Sequence, residues 1–94
     1  MIVRIVKMTF RPETVLVFET LFEKHHQQIR NFPGCLHLQL LRDGNVFFTY
    51  SHWENAYQLE AYRQSDLFKE VWPATKALFD QPAEAWSTEM TYNL

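Results

Sequence analysis

The chain has 94 residues, room for one domain spanning 1–94 and too little for two. Hydrophobic residues make up 47% and charged residues 21%, an ordinary globular balance that excludes a disordered chain. Nine Lys and Arg against eleven Asp and Glu leave a net charge of -2 without any basic run, so nothing electrostatic supports nucleic-acid binding.

Residues 2–10 are rich in Ile and Val and read as a strand that stops at Arg11-Pro12. Pro12 suits the first turn of a helix. Over 13–31, Val15, Phe18, Leu21, Phe22, Ile29 and Phe32 fall on one stripe, which predicts an amphipathic helix ended by Asn31 and Phe32-Pro33-Gly34. Residues 35–42 alternate as a strand, Asp43-Gly44-Asn45 is a hairpin signal, and 46–53 is β-branched and aromatic. Residues 55–63 read as helix. Ser65 or Asp66 then caps a second segment over 66–79, in which Leu67, Phe68, Val71, Trp72, Thr75, Leu78 and Phe79 share a face. Pro73 inside that pattern marks a first turn or a kink. After Gln81-Pro82, residues 84–93 alternate again as a last strand.

The order β-α-β-β-α-β predicts an α+β, ferredoxin-like fold: a four-stranded antiparallel sheet with the helices on one face. The first strand carries apolar side chains on both sides, Val3 and Ile5 against Ile2, Val6, Met8 and Phe10. Eight Phe, four Tyr and three Trp are a heavy load for a chain that buries only about two thirds of its unfolded surface. Both features point to a second subunit packed on the open sheet face, or to a bound ligand. Apolar runs are far shorter than the ~20 residues that span a bilayer, so no membrane is expected as a partner. The N-terminus lacks a signal-peptide profile, and the one cysteine, Cys35, excludes an internal disulfide. The expectation is a cytoplasmic protein.

No pair among His25, His26, His37 and His52 has metal-binding spacing, and adjacent His25 and His26 point about 100° apart on a helix. His25 falls on the apolar stripe, where it is either a partnered core histidine or a general base facing the helix–sheet space. His37 alternates with Cys35 and Gln39 on one side of its strand, where that trio lines a pocket, a subunit interface or an open sheet face. Cys35 has no flanking cation and reads as a small buried residue. Phosphate-loop, flavin, nicotinamide and nucleophile-elbow motifs are absent.

Trp53-Glu54-Asn55, Leu59-Glu60-Ala61-Tyr62, Ser65 and Phe68, with the turn Phe32-Pro33-Gly34-Cys35, resemble the antibiotic-biosynthesis-monooxygenase-like family of the dimeric α+β barrel superfamily. The resemblance covers nearly the whole chain. It implies a homodimer with sheets face to face and a pocket between helices and sheet. Characterised enzymes of that family include oxygenases that use O₂ on quinol-like aromatics without metal or flavin; others act on quinols or degrade haem. The chain departs from the pattern at two histidine positions, which correspond here to Tyr62 and Leu67. At the positions where haem-degrading members carry a Trp and a proximal His stand Tyr62 and Trp72, and residues 1–10 contain no Asn.

The resemblance thus implies a cofactor-free oxygenase or quinol-handling enzyme on a small planar aromatic. His25 or His37 would take the substrate proton, Tyr62 would hydrogen-bond the oxyanion, and Phe22, Tyr62 and Trp72 would hold the ring beside Phe18. The alternatives are a non-catalytic module binding a small aromatic, and a haem binder ligated by His25 or His37.

Overall fold

A computed structural model describes all 94 residues. Strand β1 is Ile2–Phe10, a 3-10 turn follows at Pro12–Thr14, and helix α1 runs Val15–Arg30. Pro12 occupies the turn's start, where its missing N–H costs nothing. Buried Thr14 donates from Oγ1 to the Leu78 carbonyl at 2.7 Å, and Arg11 donates to the Phe79 carbonyl at 3.0 Å, so this corner is tied to the start of the last strand. Val15, Phe18, His25 and Ile29 are the buried residues of α1, the single stripe that the spacing predicts.

Strands β2, Cys35–Asp43, and β3, Val46–Trp53, are joined by Gly44-Asn45, with Gly44 at φ +62° as a two-residue hairpin turn demands. Helix α2, Ala56–Arg63, starts where Asn55 accepts from the Gln58 N–H at 3.0 Å. Helix α3, Asp66–Lys76, starts where Ser65 accepts from the Phe68 N–H at 3.1 Å. Strand β4 is Phe79–Glu89. The strands form one antiparallel sheet in the order β2-β3-β1-β4, and the three helices pack on one side of it. This is the ferredoxin-like α+β arrangement.

Three details depart from the sequence expectation. Strand β4 begins at Phe79 rather than after Pro82 and ends at Glu89. Its register with β1 slips twice, between Lys7 and Thr9 and between Thr9 and Phe10. Pro82 falls in that bulged stretch of an edge strand, where no ladder donor is required of it. Pro73 lies in the interior of α3, with Ser65 as the cap. Finally, Cys35 and His37 do not share a side. Cys35 faces Trp53 and His37 faces His52 across β3, so Leu36 is an inserted residue and the bulge turns Cys35 toward the helices.

Only 14 of 94 residues are buried, too few for one continuous core. Eight of them form two clusters: Met8, Phe10, Val15, Phe18 and Phe47 at one end of the helix–sheet layer, and Cys35, Trp53 and Leu59 at the other. The opposite sheet face carries Ile5, Phe48, Tyr50, Leu41 and Trp86, the last 46% exposed. No helix is long and apolar enough to cross a membrane.

Candidate functional site

Between the two clusters lies a cavity of about 190 Å³. A cavity of ~150 Å³ takes a benzene ring, so this one has room for one ring or two fused rings. Met8 and Phe18 of the first cluster and Trp53 and Leu59 of the second form parts of its wall. The sheet supplies the floor, and α1, α2 and α3 supply the sides.

Aromatic rings make an almost continuous chain of contacts, six of whose members, Phe18, Phe22, Trp53, Tyr62, Phe68 and Trp72, line this space. Trp53 stacks on Tyr62 at 5.0 Å between centroids, Tyr62 meets Phe68 edge-on at 5.3 Å, and Phe68 stacks on Trp72 at 5.8 Å. Trp72 continues to Phe79, then Phe10, Phe18 and Phe22. Each of Phe22, Tyr62 and Trp72, expected from the sequence to hold a ring, lines the cavity. Each packs against other rings, Phe22 on Phe18, Tyr62 on Trp53 and Phe68, and Trp72 on Phe68 and Phe79, which restricts its orientation.

Polar groups are few. His25 lies on the buried stripe of α1, is 4% exposed, and lines the cavity. Its Nδ1 faces Gln28 Oε1 at 3.2 Å. In the neutral tautomer that carries its proton on Nδ1, this contact is a donated hydrogen bond and Nε2 is the acceptor. Tyr62, at the end of α2, is pushed up to about 12 by burial, with the neighbouring Cys35 adding in the same direction. Its hydroxyl is therefore a donor at any working pH. Trp53 is almost wholly buried and donates from Nε1 to Ser51 Oγ at 3.0 Å, which fixes the ring under Tyr62.

His37 is not in this cavity. It pairs with His52, whose chain neighbours Ser51 and Trp53 point into the cavity, so alternation puts both histidines on the other face of the sheet. There His37 lies 4.8 Å from His52 and 6.0 Å from Tyr50, ring centre to ring centre. The β2 bulge separates His37 from Cys35. His26 stacks against Phe22 at 5.9 Å on the cavity's outer side and pairs with Glu23 at 3.8 Å. Cys35 is buried, and burial pushes its thiol up despite Arg30 nearby. That is an unreactive core cysteine. Nowhere do three His, Cys, Asp or Glu side chains converge as metal ligands do.

Sequence reasoning missed two cavity residues of a different kind, Arg4 and Arg63. Arg4 shares its strand face with Ile2, Val6 and Met8, and a cation on an otherwise apolar inward face was the available signal.

The family model for antibiotic biosynthesis monooxygenases matches residues 1–73. No curated protein matches the chain. Among solved structures, the chain is similar to an antibiotic biosynthesis monooxygenase at 19% identity and a TM-score of 0.91, covering 98% of this chain and 100% of that one. It is similar to a conserved protein from Methanosarcina mazei at 22% identity and a TM-score of 0.87, covering 93% and 90%. It is also similar to a variant of SnoaB, a cofactor-independent oxygenase from Streptomyces nogalater, at 18% identity and a TM-score of 0.86, covering 99% and 95%. These likenesses concern the fold, while the match over 1–73 spans most of the chain and supplies the kinship: the chain belongs to the antibiotic biosynthesis monooxygenase family.

Proposed function

We propose that the protein is a cofactor-independent monooxygenase or quinol-handling enzyme acting on a small planar aromatic held between its helices and sheet. The observation that carries this reading is the ring-walled cavity that also holds one buried imidazole and one un-ionised phenol. An electron-rich phenol reacts with O₂ once deprotonated, so the protein's tasks are orientation, deprotonation and exclusion of water. His25 Nε2 takes the hydroxyl proton. Tyr62 donates to the oxyanion that forms, and Trp72 and Phe22 hold the ring. In monooxygenation one oxygen atom remains on the ring carbon as a carbonyl, and the other leaves as water with two substrate hydrogens. In quinol oxidation both electrons and both protons pass to O₂ and give hydrogen peroxide. The family resemblance and the uncovered apolar sheet face support a homodimer built through that face.

The test is oxygen uptake by chelator-treated protein with reduced naphthoquinols, against autoxidation without protein. Uptake above the control is expected, with a loss of about ten- to a hundredfold in Tyr62→Phe and in His25→Gln. Uptake that neither substitution changes would remove these roles. A second reading, a module that binds an aromatic without turnover, is favoured by one observation. The family's histidine positions hold Tyr62 and Leu67, and Tyr62 is engaged by Trp53, Phe32 and Phe68 as a packing residue would be. Ligand binding without uptake on any substrate would select it.

A further inference from the structure

The two arginines of the cavity are unmatched by any carboxylate inside it. Arg4 is half-buried on the sheet floor and donates from Nη1 to Ser87 Oγ at 2.9 Å. No ion pair of the chain includes it. Arg63 ends α2 at the rim, and its one carboxylate contact is the exposed Glu60 at 3.4 Å, which also accepts from Gln64 at 2.9 Å. Burial and the Arg63 charge both hold Arg4 below its ordinary range, with Glu60 opposing. A half-buried cation near a second cation is unfavourable without a ligand, because the exposed Glu60 offsets the desolvation and the repulsion only in part. A planar fork with unused N–H groups at the edge of an apolar cavity suits a carboxylate, which it can hold through two parallel hydrogen bonds.

We propose that Arg4, assisted by Arg63 at the rim, is an anion subsite, and that the ligand of this cavity is a one- or two-ring aromatic bearing a carboxylate. The proposal deepens the reading of the cavity as an aromatic site and rests on it. The carboxylate docks on Arg4, the ring lies against Tyr62 and Trp72, and the charged end fixes which ring carbon meets His25. Specificity between ring systems then comes from the stacking walls, and specificity between substituents from the arginines.

The test is titration calorimetry with two matched probes, 1-hydroxy-2-naphthoate and 1-naphthol. The carboxylate is expected to bind about tenfold tighter or more, the scale of one charge-assisted pair, and the advantage shrinks as salt is raised. In Arg4→Gln the advantage collapses while 1-naphthol binds as before, and Arg63→Gln reduces it in part. Arg4→Lys restores some of the advantage without the paired geometry. Equal affinities for the two probes, or a preference that neither glutamine substitution moves, would overturn the anion subsite and leave the aromatic site standing. Failure of both probes to bind would overturn the aromatic site and the subsite with it. Should Arg4→Gln not fold, the exposed Arg63→Gln and the salt series decide.

Discussion

Tyr62 shows how far a single side chain of this site can be argued. Its phenol is held near 12 by burial first and by Cys35 second, so the folded protein resists ionising it where the unfolded chain ionises near 10. The raised value means that its contribution to stability is complete below pH ~10 and is lost as pH rises toward ~12, on the order of 2–3 kcal/mol in all. Urea midpoints are expected to fall between about pH 9.5 and 11, and to fall less steeply in Tyr62→Phe. Equal slopes for the two proteins would mean that Tyr62 is solvated, and the buried donor in the site would be lost with it. His25 was legible in the sequence because a histidine on a helical stripe of Val15, Phe18 and Ile29 has one direction to point. The side of Cys35 was not, because it depends on the extra residue Leu36, and a bulge leaves no mark in an alternating pattern. Arg4 was hidden by the reverse effect. A strand with apolar residues on both sides invites attention to its hydrophobes, and the lone inward cation passes as part of the alternation.

Among the elements, the turn from α1 into β2 bears most directly on the site, because it sets where α2 lies. Gly34 has φ +88°, and a Cβ there would collide with the Gln58 side chain of α2. The Gly34 carbonyl also accepts from the Glu54 N–H at 2.9 Å, which joins this turn to the end of β3. Gly34→Ala therefore meets a left-handed backbone and a crowded neighbour together, and a loss of about 2–3 kcal/mol is expected by urea unfolding. Ligand affinity should fall as well, since α2 carries Tyr62 and Arg63 into the cavity. Gly44, at φ +62° with open space around it, is the internal comparison: Gly44→Ala should cost about 1 kcal/mol and leave binding unchanged. Both turns were legible as Pro-Gly and Asp-Gly-Asn. The early start of β4 was not, because Pro82 reads as a boundary. Only the sheet order, which makes β4 an edge, shows why a proline is tolerated there.

For the whole molecule, the decisive quantity is the uncovered sheet face. Its apolar members Ile5, Phe48, Leu41 and Trp86 lie beside one exposed ion pair, Lys7 with Glu84 at 3.7 Å, and beside the His37–His52 pair. Sheet-to-sheet packing of two copies would bury these together, and light scattering at micromolar protein should give the mass of a dimer. Trp86→Glu places a charge on the edge strand of that face and should yield a folded monomer by the same measurement, with its circular dichroism unchanged. A wild-type monomer would contradict the face-to-face assembly. The histidines add a pH dependence with a definite sign. His52 is held below 6.5 by burial first and by the neighbouring His37 second, and its Nε2 is buried without a partner. A lowered value favours the neutral ring in the folded state. The contribution is therefore complete above pH ~6.5 and lost as the solution is acidified and the unfolded chain binds the proton first. A second copy laid over the ring deepens the same burial, so the dimer should dissociate more readily at pH ~5.5 than at pH ~8. His52→Gln should flatten that dependence, and a dimer fraction equal at both values would take His52 out of the interface.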